Sequence, residues 1–213
     1  SDLPTMSYSS AWFEGDHSRS MVDAQRAKVK RALNEAGVSP ERPGQRVLEI
    51  GCGWGGLAEI AAAEHGAHVT GVTLSTEQLA WAKARMAGAG LAERADLRLQ
   101  DYRDIRDQPF DAIVSIEMFE AVGREYWAGY FDTIKRCLKP GGQACLQTIT
   151  IHDDLFDRYV KSTDFIQQYI FPGGLLPSPT VFEKEARKAG FEVVNRLDFG
   201  LDYAETLRLA HEL

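Results

Sequence analysis

Apolar residues along this chain alternate between helical and strand spacing. From about Ser20 to Ala36 they recur at helical intervals, stopped by Gly37 and Pro40, which predicts an amphipathic helix. Arg46–Ile50 is a short apolar run of the buried-strand kind, and a helix-compatible stretch from Leu57 to about Glu64 follows the glycines after it. His68–Val72 predicts a second strand, and Ser75 with Gln78 form a capping box for a helix reaching about Ala87. Asp96–Leu99 and Ala112–Ile116 read as strands three and four, with Pro109 between them. Arg124–Leu138 predicts a helix ending at the turn signal Lys139-Pro140-Gly141-Gly142, and Ala144–Thr148 is strand five. Asp153–Tyr169 has helical character, with Phe156, Tyr159, Val160 and Phe165 as its apolar positions. A Pro- and Gly-rich turn from Phe171 to Pro179, a helix from about Thr180 to Ala189 and a sixth strand, Glu192–Leu197, complete the pattern. This alternation predicts an α/β fold: a doubly wound, Rossmann-like and mostly parallel sheet with helices on both faces. One domain over residues 1–213 is the economical organisation, with Ile151–Pro179 as a cap inserted after strand five.

Composition narrows the classes. The 213 residues are 44% hydrophobic, enough for one sizeable core. A formal net charge of -7 argues against broad nucleic-acid binding and against a strongly basic membrane face. No apolar run approaches the roughly 20 residues of a membrane-spanning helix, and no signal-peptide pattern opens the sequence. Any membrane contact is therefore expected to be peripheral. Cys52, Cys137 and Cys145 fit neither a metal spacing nor a disulfide framework, which places the chain in a reducing, cytoplasmic compartment. The five histidines are scattered and suggest no zinc site.

The most informative stretch is Val47–Gly56, where the first strand breaks into Gly51-Cys52-Gly53-Trp54-Gly55-Gly56. Such a turn lets a nucleotide-like ligand approach the backbone closely. Gly51, Gly53 and Gly56 also satisfy the dinucleotide pattern, but a nicotinamide site expects an acidic residue at the end of strand two. That strand ends on Thr73. The spacing Glu49-x-Gly51-x-Gly53 instead resembles motif I of the class I S-adenosylmethionine-dependent methyltransferases, whose ligand carries a sulfonium and an amino group but no phosphate.

Further motifs extend the resemblance. Tyr8-Ser9-Ser10-Ala11-Trp12-Phe13 stands near the start, Glu117-Met118-Phe119-Glu120-Ala121-Val122-Gly123 after strand four, Tyr169-Ile170-Phe171-Pro172-Gly173-Gly174 later, and Tyr203-Ala204-Glu205-Thr206-Leu207 near the end. Together and in this order they resemble the cyclopropane-fatty-acyl-phospholipid synthase family, which includes the mycolic acid cyclopropane synthases and related fatty-acyl C-methyltransferases.

The resemblance implies a cofactor site of Tyr8, Ser9, Glu49, Gly51, Gly53, Thr73, Leu74 and Gln78. Asp101 and Tyr102 would flank the adenine, and Ile116 would close its far side. It also implies methyl transfer to the cis double bond of an unsaturated phospholipid acyl chain, at a transiently contacted membrane surface. The attack leaves a carbocation that loses a proton and closes a cyclopropane ring. Bicarbonate would be the proton acceptor, oriented by Glu120, hydrogen-bonded by Tyr203 and contacted by the backbone of Ile149. Ser10 stands where the family has cysteine, and Gln147 where it has histidine. Gln147 can donate a hydrogen bond but cannot titrate near neutral pH, which leaves ring, methyl branch and methylene open as products. The resemblance further implies shortened ends, with no final antiparallel strand after Leu207 and hence an open sheet edge. Phe156, Tyr159, Phe165, Tyr169, Ile170 and Phe171 are candidate walls of an acyl tunnel, and a homodimer is a further expectation. The alternatives are a small-molecule N-methyltransferase of the coclaurine type, a non-catalytic cofactor-binding protein and, last, hydride transfer.

Overall fold

The computed structural model of the chain describes residues 18, 20–162, 175–198 and 204–212. Six helices of more than one turn lie in them: α1 (Met21–Glu35), α2 (Gly56–His65), α3 (Thr76–Gly88), α4 (Trp127–Cys137), α5 (Asp153–Lys161) and α6 (Pro179–Lys188). The strands are β1 (Arg46–Ile50), β2 (His68–Thr73), β3 (Ala95–Leu99), β4 (Phe110–Ile116), β5 (Leu138–Ile149), β6 (Phe191–Asp198) and β7 (Ala204–His211). They form one sheet in the order β3-β2-β1-β4-β5-β7-β6. The pairs among β1 to β5 are parallel, while β7 runs antiparallel to both β5 and β6. Strand order reverses between β1 and β4, and a doubly wound sheet opens a ligand crevice beyond the strand ends at such a point.

Alternation along the central strands divides the core. Val47, Ala112, Val114 and Cys145 pack under α1, α2 and α3, whereas Leu48, Ile50, Ile113 and Leu146 pack with residues of α4, α5 and α6. Glu49 shares its face with Val47 by the two-residue period of a strand, so a buried carboxylate is presented on the side of α1.

Two expectations are corrected. Lys139-Pro140-Gly141-Gly142 is not a helix-to-strand turn. Helix α4 ends at Cys137, and β5 begins at once with Leu138 opposite Phe110. The register then shifts, so that Ala112 faces Gln143. Sheet pairing has absorbed the Pro-Gly-Gly segment as an irregularity, in the manner of a β-bulge. The antiparallel strand expected to be missing is β7, paired with β5 from Gln143↔Ala210 to Ile149↔Ala204. Its Leu207 and Leu209 are fully buried, so that side of β5 is covered.

Candidate active site

The glycine loop is shaped by what presses against it. The N–H groups of Gly51 and Cys52 both donate to the Val72 carbonyl at 3.0 Å, folding the loop onto the end of β2. Gly51 has φ +83°, and a Cβ there would lie 3.1 Å from Cβ and Cγ of Met118. Gly55 has φ +84°, and its Cβ would lie 2.9 Å from that of Ala82, so glycine lets α2 approach α3. The first turn of α2 has no side-chain cap.

Two cavities meet at Gly51 and Met118. The first, of about 510 Å³, is lined by Glu49, Gly53, Gln78, Ile116, Glu117, Glu120 and Ile149 together with residues of α1 and α3. The second, of about 470 Å³, is lined by Thr73, Leu74, Asp101, Tyr102 and neighbours as far as Tyr126. Thr73 Oγ1 donates to Gln78 Oε1 at 3.2 Å, tying a wall of one cavity to a wall of the other. The Gln78 N–H donates to Ser75 Oγ, so the expected cap of α3 forms on that side. Tyr102 packs edge-on against Tyr130, with centroids 5.6 Å apart. The Arg103 guanidinium beside Asp101 holds that carboxyl below its ordinary value, so it is an anion at neutral pH. Ile116, expected beyond the adenine, lines the Glu49 cavity.

Two buried carboxylates line the first cavity. Glu49 is 6% exposed and its Oε2 has no hydrogen-bond partner. Burial holds its carboxyl well above the ordinary value. Glu120 is equally buried. Its Oε1 accepts hydrogen bonds from Thr148 Oγ1 at 2.9 Å and from the Ile149 N–H, while Oε2 has no partner. Burial raises the Glu120 pKa, the donors on Oε1 oppose the rise, and Glu117 adds to it. One oxygen is thus anchored and the other is available to a ligand. Cys52 also lines this cavity, but burial and the nearby Glu49 push its thiol up to about 12, so it stays protonated and a poor nucleophile.

The structure gives Glu117 a particular place. Among the described residues, positive φ outside glycine occurs at Glu117, with φ 49°. Its N–H donates to the Gln147 carbonyl at 2.8 Å, and Gln147 Nε2 donates to Glu117 Oε1 at 3.1 Å. This double clasp holds a left-handed turn that non-glycine residues seldom adopt. Gln147 is therefore engaged by Glu117, and the Ile149 N–H by Glu120. Adjacent ends of β4 and β5 bring these residues together, which spacing in the sequence does not disclose. Tyr8, Ser9, Ser10 and Tyr203 lie outside the described residues, as do Phe165, Tyr169, Ile170 and Phe171. Phe156 and Tyr159 are buried in the core face of α5.

The mycolic acid cyclopropane synthetase family model matches residues 2–213. The chain belongs to this family. It is 43% identical over 205 residues to the tuberculostearic acid methyltransferase UfaA1 of Mycobacterium tuberculosis, covering 95% of this chain and 45% of that one. It is 40% identical over 215 residues to the cyclopropane-fatty-acyl-phospholipid synthase of Escherichia coli K12, covering 98% and 51%. The chain thus spans about half the length of these relatives. Among solved structures, the cyclopropane synthase MmaA2 of M. tuberculosis superposes with TM-score 0.80 at 32% identity, covering 91% of this chain and 70% of that one. The mycolic acid cyclopropane synthase CmaA1, solved with SAH and CTAB, gives 0.83 at 26%, covering 97% and 90%. The sheet is that of the class I S-adenosylmethionine-dependent methyltransferases; the alternation of elements predicts its doubly wound form, and the resemblance implies its class.

Proposed function

We propose that this chain transfers a methyl group from S-adenosylmethionine to the cis double bond of an unsaturated fatty acyl chain of a phospholipid, with bicarbonate as base. The observation that carries the reading is Glu120: a buried carboxylate on the cavity wall, anchored through one oxygen and unpartnered at the other. The family membership supports the same class of chemistry, and the names of the relatives above place acyl methylation and cyclopropanation within it.

The residues fit the cofactor. Two cavities joined at Gly51 suit a ligand with an adenine at one end and an amino acid at the other. Thr73, Leu74, Asp101 and Tyr102 would hold the nucleoside, and the resemblance adds Tyr8 and Ser9 to the residues that grip the cofactor. The unpartnered oxygen of Glu49 suits a cationic group. When bound, S-adenosylmethionine supplies an electrophilic methyl carbon.

The chain's own contribution is electrostatic and positional. Glu49, Glu117 and Glu120 line the cavity, and in its ionised form each would favour a carbocation left there by alkene attack on the methyl carbon. Ile116, Met118 and Ile149 supply apolar wall. Glu120 Oε2 would orient the base that removes the proton, with Ser10, Gln147, Ile149 and Tyr203 around it. Gln147 contributes hydrogen bonding alone, since an amide does not titrate. The acyl chain resides in a bilayer, so the reading includes transient contact with a membrane surface.

The test is incubation of the protein with S-adenosylmethionine and mixed unsaturated phospholipids, followed by mass spectrometry and fragmentation of the acyl chains. The expected result is an added one-carbon unit at the double bond, and fragmentation separates ring, methyl branch and methylene. Glu120→Gln should lower turnover by about a hundredfold or more while S-adenosylhomocysteine still binds. No modified lipid, or full activity in this variant, would overturn the reading.

A further inference from the structure

Glu117 differs from the other two carboxylates of the first cavity in three respects. It is held at φ 49°, a left-handed conformation that a non-glycine residue keeps only where its surroundings enforce it, and such strain gathers at functional sites. Its Oε1 accepts from Nε2 of Gln147, the residue that stands where the resemblance places a histidine. An amide cannot take up a proton there, so the titrating group in contact with that side chain is the Glu117 carboxylate. Glu117 is also only partly buried, whereas Glu49 and Glu120 are both 6% exposed. Burial disfavours the ionised forms of the two deeper acids and keeps the Cys52 thiol protonated. Glu117 lies near enough to Glu120 for its charge to raise the Glu120 pKa. Gln147, Thr148 and Ile149 grip the pair in turn, the first at Glu117 and the other two at Glu120. The remaining titratable or charged neighbours are Tyr130 of α4, which senses the Glu120 charge, and Arg26, Lys28 and Arg85 on the α1 and α3 side. Arg26 and Arg85 are paired with Glu64 and Glu59. A proton released beside the buried Glu120 needs a route to water, and a half-buried carboxylate on the same wall supplies one.

We propose that Glu117 is the exit for the reaction's proton: it takes up the proton released from the transferred methyl group and passes it to solvent. A C–H bond of that methyl group breaks, and its electron pair becomes the new carbon–carbon bond of the ring or methylene. The proton forms an O–H bond on Glu117 before water removes it. Glu117 thereby returns the base oriented by Glu120 to its acceptor form, a service that Gln147 cannot perform. This rests on the methyl-transfer reading above and adds Glu117 to the residues that handle the proton.

One readout needs no turnover. In the ligand-free protein, infrared titration of the carboxyl band follows Glu120, whose contribution is identified by its loss in Glu120→Gln. Glu117→Gln should move that titration to lower pH, because a neighbouring negative charge has gone. An unmoved titration would show that the two carboxylates are not coupled and would overturn the proposal. Turnover is then measured on vesicles of dioleoyl phosphatidylethanolamine and phosphatidylglycerol, with S-adenosylmethionine carrying either CH₃ or CD₃ on sulfur. Glu117→Gln should lower kcat by about a hundredfold or more. It should also raise the CH₃/CD₃ rate ratio above that of wild type, because proton removal becomes limiting, while S-adenosylhomocysteine binds as it does to wild type. A lowered kcat with the wild-type ratio would assign Glu117 a merely structural role and overturn the proposal, as would an unchanged kcat. Should Glu117→Gln fail to fold, Glu117→Asp, whose carboxylate is drawn back, should still show a raised ratio, and the wild-type ratio in that variant is decisive against it. No methyl transfer by the wild-type protein would remove the reading of the reaction itself, a distinct outcome that takes this proposal with it.

Discussion

At the scale of single residues, Gln147 and Glu117 behave as one unit. The amide donates to the carboxylate at 3.1 Å, and the backbone of one accepts from the N–H of the other at 2.8 Å. The clasp stabilises the positive φ of Glu117 and thereby sets the path of the short helix Phe119–Ala121, which carries Glu120. Turnover should therefore fall in Gln147→Leu and in Glu117→Gln, with the double variant little worse than either. The coupling energy expected from a double-mutant cycle in kcat is about 0.5–3 kcal/mol. Additive losses would mean that the two side chains act separately. Glu49, Glu120 and the glycine loop were legible from sequence because a motif is a local record of residue types. The Glu117–Gln147 contact was not, because it depends on the register that sets β4 beside β5.

At the scale of elements, local pattern and sheet pairing competed at one place, and pairing won. The parallel strands were legible because runs such as Val47–Ile50 and Ala112–Ile116 are buried on both faces. The segment Lys139–Gly142 carries strong turn residues, yet pairing of Leu138 with Phe110 draws it into β5. Strand β7 alternates through Leu207, Arg208 and Leu209, but the resemblance places the family's final antiparallel strand after Leu207 and so implies that this chain lacks it. The consequence reaches the site. Strand β7 flanks the end of β5 that carries Gln147, Thr148 and Ile149, two of which anchor Glu120. Leu209→Ala removes a fully buried side chain and should cost about 2–5 kcal/mol in urea unfolding. A cost below about 0.5 kcal/mol, the range of surface changes, would show that β7 contributes little to the core.

At the scale of the whole molecule, the two buried carboxylates make stability depend on pH in the direction opposite to that of Asp101, Asp107 and Asp111. The Glu49 and Glu120 pKa values are raised, chiefly by burial. Between the ordinary carboxylate value and these raised values, the folded protein binds protons that the unfolded chain has released. Stability then falls as pH rises through that window. Asp101, Asp107 and Asp111 have lowered values, with Arg103, Arg98 and Lys139 as their respective partners, and their contribution is instead lost as pH falls through those values. The cofactor-free protein should therefore lose stability as pH rises from the ordinary carboxylate range through the raised values of Glu49 and Glu120. Saturating S-adenosylmethionine should flatten that decline, because a cation beside Glu49 favours its ionised form and lowers its pKa. A net charge of -7 adds a general repulsion with a similar pH trend, but added salt screens it, and a buried group much less. Thermal unfolding across pH at high salt, with and without cofactor, separates these contributions. Glu49→Gln, which removes the titrating group, should abolish most of the cofactor's effect on the slope. An identical slope in Glu49→Gln and wild type, with and without cofactor, would show that the carboxylate of Glu49 does not couple proton release to cofactor binding.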